Sequence, residues 1–123
     1  MKIVNLLFIL NQLRIFHWQT TSYAEHQAFG LTYDSLDETI DKFVEVYMGK
    51  HGRVFQMGDN FNVQLYNYSS ENLNQYIEKT IDYLTYNLLP SSEYEPVKNT
   101  DLLNIRDEML GDINKLKYLL TLK

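Results

Sequence analysis

The feature that most constrains this chain is a stripe of seven residues. His26, Phe29, Tyr33, Leu36, Ile40, Phe43 and Tyr47 recur at strict 3-4-3-4-3-4 spacing. Only a helix puts all seven on one side, and a helix with so regular a seam packs lengthwise against others. Its start is marked by "SYAE", with Ser22 at the N-cap and Glu25 three residues later, the pattern of a capping box. "GKHG", Gly49 to Gly52, marks its end.

Three further helical patterns surround this one. Helix A spans about Lys2 to Thr20, with Leu6, Leu10, Leu13 and His17 at 4-3-4 spacing. Ile3, Val4, Leu7, Phe8, Ile9 and Phe16 make its other faces apolar too, so a second surface, expected to be another subunit, covers it. Helix C spans about Glu71 to Leu89 behind Ser70, with Leu73, Ile77, Ile81, Leu84 and Leu88 inward and Pro90 as its stop. Helix D spans about Asp101 to Leu122, capped by Asn99 or Thr100, with Leu102, Met109, Ile113, Leu116 and Leu120 inward. Residues 53–69 read as a long crossover, with or without a short helix or strand, and "GDN" inside it signals a turn. Short A–B and C–D links and this long B–C link predict one all-α domain over residues 1–123, a four-helix bundle with a crossover.

Composition narrows the function. A net charge of −5 with no basic tail argues against DNA binding through phosphate neutralisation. With no cysteine there is no disulfide, thiolate ligand or redox thiol. "MKIVNLLFIL" has no small-residue cleavage site and is too short to span a bilayer, so a cytoplasmic protein without membrane association is expected.

The residues that carry chemistry cluster between Phe16 and Glu45. An antiparallel A–B hairpin brings His17 and His26 to one end of the bundle. Asp37, Asp41 and Glu45 lie on a stripe beside the apolar seam, with Asp41 and Glu45 one turn apart. Asp41 lies fifteen residues from His26, roughly 22 Å along the helix, too far for one ion. If two B helices pair antiparallel about a two-fold near Tyr33 and Asp34, His26 of one chain faces Asp41 and Glu45 of the other. Two identical sites result, each with two imidazoles and two carboxylates, a set that suits iron, zinc or manganese. The usual di-iron bundle pattern is absent: there is no acid before Glu25 and no Glu-x-x-His.

"HW" at His17–Trp18, then His26, then Asp41 and Glu45 four residues apart, resembles the Dps family of ferritin-like proteins over residues 16–45. The chain is also similar to small uncharacterised proteins of tailed bacteriophages. The resemblance implies a ferritin-like fold, a two-fold dimer or dodecameric cage, and Fe(II) oxidation by peroxide or oxygen at inter-subunit sites, with iron storage. It would make His17, His26, Asp41 and Glu45 both ligands and catalytic residues, with Trp18 beside the iron; Asp37 could support an imidazole and Tyr33 could accept an electron during iron oxidation. Two departures stand out. The family's acid one turn after the second histidine is Gly30 here, and the turn between the histidines is about three residues shorter.

Each residue also has a plainer reading. The histidines can be seam residues bonded to a neighbouring side chain or carbonyl. Asp34 and Asp37 can be a solvated or interface flank, Trp18 packing, and His51 an exposed loop residue. The acid pairs Glu78–Asp82 and Glu108–Asp112 can face solvent. The rival functions are a non-catalytic oligomeric protein, viral structural or interacting, in a host cytoplasm or virion, and a structural metal clamp at the dimer interface.

Overall fold

A computed structural model describes residues 1–55, 58, 60–95 and 97–122. Four α-helices make the fold: α1 (Ile3–Gln19), α2 (Tyr23–His51), α3 (Ser70–Asp82) and α4 (Thr100–Leu119). The described residues contain no strand. α1 packs along α2, and α2 along α4, while α3 closes the bundle against α4. The core is built from the expected stripes: Leu6, Leu10 and Leu13; Phe29, Leu36, Ile40, Phe43 and Tyr47; Leu73, Ile77, Leu84 and Leu88; Leu102, Met109, Ile113 and Leu116. His17, His26, Tyr33, Ile81 and Leu120 sit at the edges of their stripes, half-buried.

Several boundaries differ from the sequence expectation, each for a local reason. α2 continues through Gly49 and Lys50, and His51 is in its last turn rather than in a loop. One interior glycine costs only about 1 kcal/mol, less than the helix gains by keeping its hydrogen bonds. The stop comes at Gly52, whose φ of +84° breaks the helical path. His51 Nε2 stands 3.6 Å from Glu93, and its ring lies 4.6 Å from that of Tyr47. α3 begins one residue early. Ser69, not Ser70, is the N-cap, its hydroxyl accepting from the Asn72 N–H at 3.0 Å.

Helix C is not one α-helix to Leu89. A π-helical turn, Tyr83–Asn87, follows α3, and a bend precedes Pro90. The Thr85 hydroxyl donates to Ile81 O, and Arg106 on α4 donates to the carbonyls of Leu84 and Thr85. These side chains occupy carbonyls in and beside the widened turn. At α4, Asn99 holds the N-cap position, but its amide turns away to donate to Glu93 O. The Asp101 carboxylate accepts from the Leu102 N–H and from Lys50 Nζ, which holds its carboxyl below the usual range.

The crossover carries no helix or strand among its described residues. The turn expected at "GDN" includes Asp59, outside the described residues. The last part of the crossover lies along α1. Gln12, fully buried on α1, clamps the backbone of Tyr66: its amide donates to Tyr66 O at 2.8 Å and accepts from Tyr66 N at 2.7 Å. Gln19 accepts from Tyr68 N at 2.6 Å. The Tyr66 and Tyr68 rings meet Phe8 and Phe16 edge-on. The second cover expected from another subunit is therefore supplied, on this flank of α1, by the chain itself. A backbone laid on an apolar helix needs hydrogen-bond partners, and Gln12 and Gln19 are those partners.

Candidate functional site: the α1–α2 joint

His17 is in the last turn of α1 and His26 in the first turn of α2. Two caps hold this corner. The Ser22 hydroxyl accepts from the Glu25 N–H. Glu25 does not return to the Ser22 N–H, as a full capping box would. Its Oε1 accepts from the hydroxyls of Thr20 at 2.6 Å and Tyr68 at 2.7 Å, and Thr20 Oγ1 accepts from Ser22 N. Glu25 thus links the turn, the start of α2 and the crossover. That hydrogen bond, with burial second, keeps the Tyr68 phenol above its ordinary range.

With the corner fixed, the histidines clasp each other. His17 Nδ1 donates to His26 O at 2.8 Å, and His26 Nδ1 donates to His17 O at 2.9 Å. Carbonyl oxygens only accept, so each ring carries its proton on Nδ1 and leaves Nε2 without a partner in the clasp. The rings stack, centroids 3.8 Å apart and planes inclined by 15°.

This geometry bears on metal binding. A ligating imidazole holds its ion in the ring plane, about 2.1 Å from the nitrogen. Two planes 15° apart and stacked at this separation do not meet within that reach. As placed, His17 and His26 do not fit one ion.

Gly30 explains why the rings lie so. A Cβ there would stand 3.1 Å from His17 Cε1 and 3.4 Å from Nδ1. The imidazole lies over the bare backbone of α2, where the resemblance expects an acid. Gly30 leaves that space open, and the His17 ring fills it.

The structure does not bring the carboxylates of one chain to the histidines. Asp37, Asp41 and Glu45 are exposed on the outer side of α2, with no ion pair or side-chain hydrogen bond to any described residue. Among the described residues, no three metal-ligating side chains stand close enough to share an ion. Of the acid pairs on α3 and α4, Glu78, Asp82 and Glu108 face solvent, but Asp112 accepts from Ser35 Oγ at 2.8 Å and ties α4 to α2.

Beside the clasp is an open cleft of about 290 Å³, lined by Arg14, His17, Trp18, Gly30, Tyr33 and Asp34. Trp18 is 65% exposed rather than packed inside. The Arg14 guanidinium lies 4.3 Å over the Tyr33 ring and 5.7 Å from that of Trp18, a double cation–π contact. The sequence reading passed over Arg14. It follows Val4, Leu7 and Asn11 and precedes Trp18 at 3-4-3-4 spacing, a second stripe that could have flagged it.

Comparison with known proteins gives a family but no activity. A family model described as a family of unknown function, DUF5856, matches residues 17–120, and the chain belongs to that family. The match starts at His17 and covers the clasp, all of α2 and the bundle behind it. The chain is 44% identical over 39 residues to an uncharacterised 14.6 kDa protein of the mobD–ri intergenic region of Enterobacteria phage T4. That stretch is 32% of this chain and 30% of the phage protein, so the match spans under a third of that relative. No solved structure matches. No helix among the described residues is long and apolar enough to cross a membrane.

Proposed function

We propose that this DUF5856 member is a self-associating helical protein without catalysis at its histidines, pairing with a second copy through the outer face of α1 and α2. The observation that carries this reading is the makeup of that face. Leu7 and Asn11 are half-buried on it, Arg14, Trp18 and Leu31 are exposed, and an acidic run from Asp34 to Glu45 lies alongside. Exposed aromatic and arginine side chains grouped on a polar-rimmed patch are the composition of an interface. The histidine clasp supports the non-catalytic part, since its rings act as a joint between two helices.

Sedimentation or light scattering tests the pairing. A particle of twice the 14.6 kDa chain mass is expected. A monomer at every concentration would sink the proposal, and twelve copies would point to a cage.

One observation favours a second reading, the Dps-like one, with ferritin-like packing and inter-subunit iron. Each Nδ1–H on a carbonyl leaves Nε2 in the form that binds metals, the arrangement common among metal-ligating histidines. One imidazole, with Asp41 and Glu45 of a second copy, would then hold Fe(II), zinc or manganese. Anaerobic Fe(II) titration followed by peroxide separates the two. No oxidation beyond the protein-free rate is expected. Turnover of about one iron per chain, abolished by Asp41→Asn, would reverse the assignment.

A further inference from the structure

The pairing proposed above leaves open what aligns the two copies, and the cleft at Arg14 holds an answer that rests on that reading. The Arg14 guanidinium carbon lies 4.3 Å over the Tyr33 ring, yet the group makes no hydrogen bond or ion pair with any described residue. Asp34 lines the same cleft and is likewise without a partner among them. A guanidinium lying over an aromatic ring is held in place and is well suited to take a carboxylate through two parallel hydrogen bonds. The cleft is open, about 290 Å³, and has room for an incoming side chain.

We propose that Arg14 of each copy receives the Asp34 carboxylate of the other, in two equivalent ion pairs about the two-fold. A patch with one unpaired cation and one unpaired anion is self-complementary under that symmetry, because residue i meets j while j meets i. One cation and one anion lining the same cleft point to a second copy as the occupant, although acidic side chains lie alongside. From Asp34 to Glu45 the exposed side chains of α2 include Asp37, Glu38, Asp41 and Glu45 against Lys42 alone. Two such faces repel unless a cation stands between them, and among the described residues Arg14 is the one arginine or lysine lining the cleft.

The test is charge exchange, read by sedimentation velocity on the full chain. Arg14→Asp and Asp34→Arg, each alone, should weaken the dimer about tenfold or more. Mixed in equal amounts they should form a heterodimer, since both cross-pairs are then complementary, and the double variant should recover the homodimer. A wild-type chain that stays monomeric would overturn the pairing and this inference together. A wild-type dimer with unaffected single variants, or a mixture that fails to associate, would overturn the exchange alone. If a reversal does not fold, Arg14→Gln and Asp34→Asn replace it, and undiminished association of both would count against the exchange. Calorimetric titration with glutarate covers the remaining occupant: Arg14-dependent binding to a monomer would reassign the cleft to a free carboxylate.

Discussion

α1 has two outer flanks, and they are finished in opposite ways. On one, the crossover lies on Phe8, Gln12, Phe16 and Gln19, and its backbone groups are bonded to the two glutamines. On the other, Leu7 and Asn11 are half-buried, Arg14 and Trp18 are exposed, and Arg14 has only aromatic faces for company. The two flanks read alike as apolar helix surface. What separates them is where the polar atoms go. Gln12 and Gln19 take up the N–H and C=O groups of the crossover backbone at Tyr66 and Tyr68, so their flank closes within one chain. Arg14 and Asp34 have no hydrogen-bond or ion-pair partner among the described residues, and the pairing proposed above would supply one. An apolar helix is thus not evidence for a subunit interface until its polar residues are accounted for.

Raising the pH should break the closed side most completely. The Tyr76 hydroxyl, which donates to Ile9 O inside α1, is held far above the ordinary phenol range by burial. Burial also pushes Tyr83 up to about 12, while the Asn5 side chain pulls the other way without reaching hydrogen-bond geometry. Tyr68 is raised too. A raised phenol favours the folded state fully below the unfolded value near 10, and that advantage is lost as pH climbs through the folded value. Urea titrations from pH 9 to 12 should show stability falling above pH 10 by a few kcal/mol. A flat profile would show that these hydroxyls are not sealed.

Gln12→Leu comes next. It removes both bonds to Tyr66 and strands its N–H and C=O, for a loss of about 2–4 kcal/mol in chemical unfolding. A neutral result would mean that the crossover does not depend on the clamp, and the contrast between the flanks would collapse.

Gly30→Ala probes the joint between them. Alanine normally stabilises a helix over glycine by about 1 kcal/mol. Here the new Cβ would press on an imidazole pinned by a hydrogen bond and a stack, so we expect a net loss of about 1 kcal/mol. In a His17→Ala background the same change should stabilise, and only the double-mutant cycle reveals the sign change.

Trp18→Ala should have the smallest effect on monomer stability, within about 0.5 kcal/mol, because the side chain is exposed. Its effect should appear in association instead. A large loss of monomer stability would place Trp18 with the closed flank.

Much of this molecule was legible before any coordinates. The four stripes located the helices, Ser22 located the start of α2, and the spacing of His17 and His26 put them at one corner. Helix ends were read less well. A serine at 70 resembles a cap signal, but the neighbouring Ser69 has the geometry that acts, and within "GKHG" it is Gly52 that stops α2. Gln12 was missed because nothing local sets it apart from the other polar residues of α1 until its partner, 54 residues away, is known.

The sequence by itself determined that the chain is helical, which faces turn inward, and that its carboxylates and histidines are too far apart along α2 to meet in one chain. These follow from helical periodicity and rise, which are local. Only the tertiary structure decided that the two rings stack with their Nδ1 protons on each other's carbonyls, that Gly30 is the surface under His17, and that the crossover takes one flank of α1 and leaves Arg14 on the other. Periodicity reports that a face must be covered, but what covers it depends on contacts between segments distant in the chain.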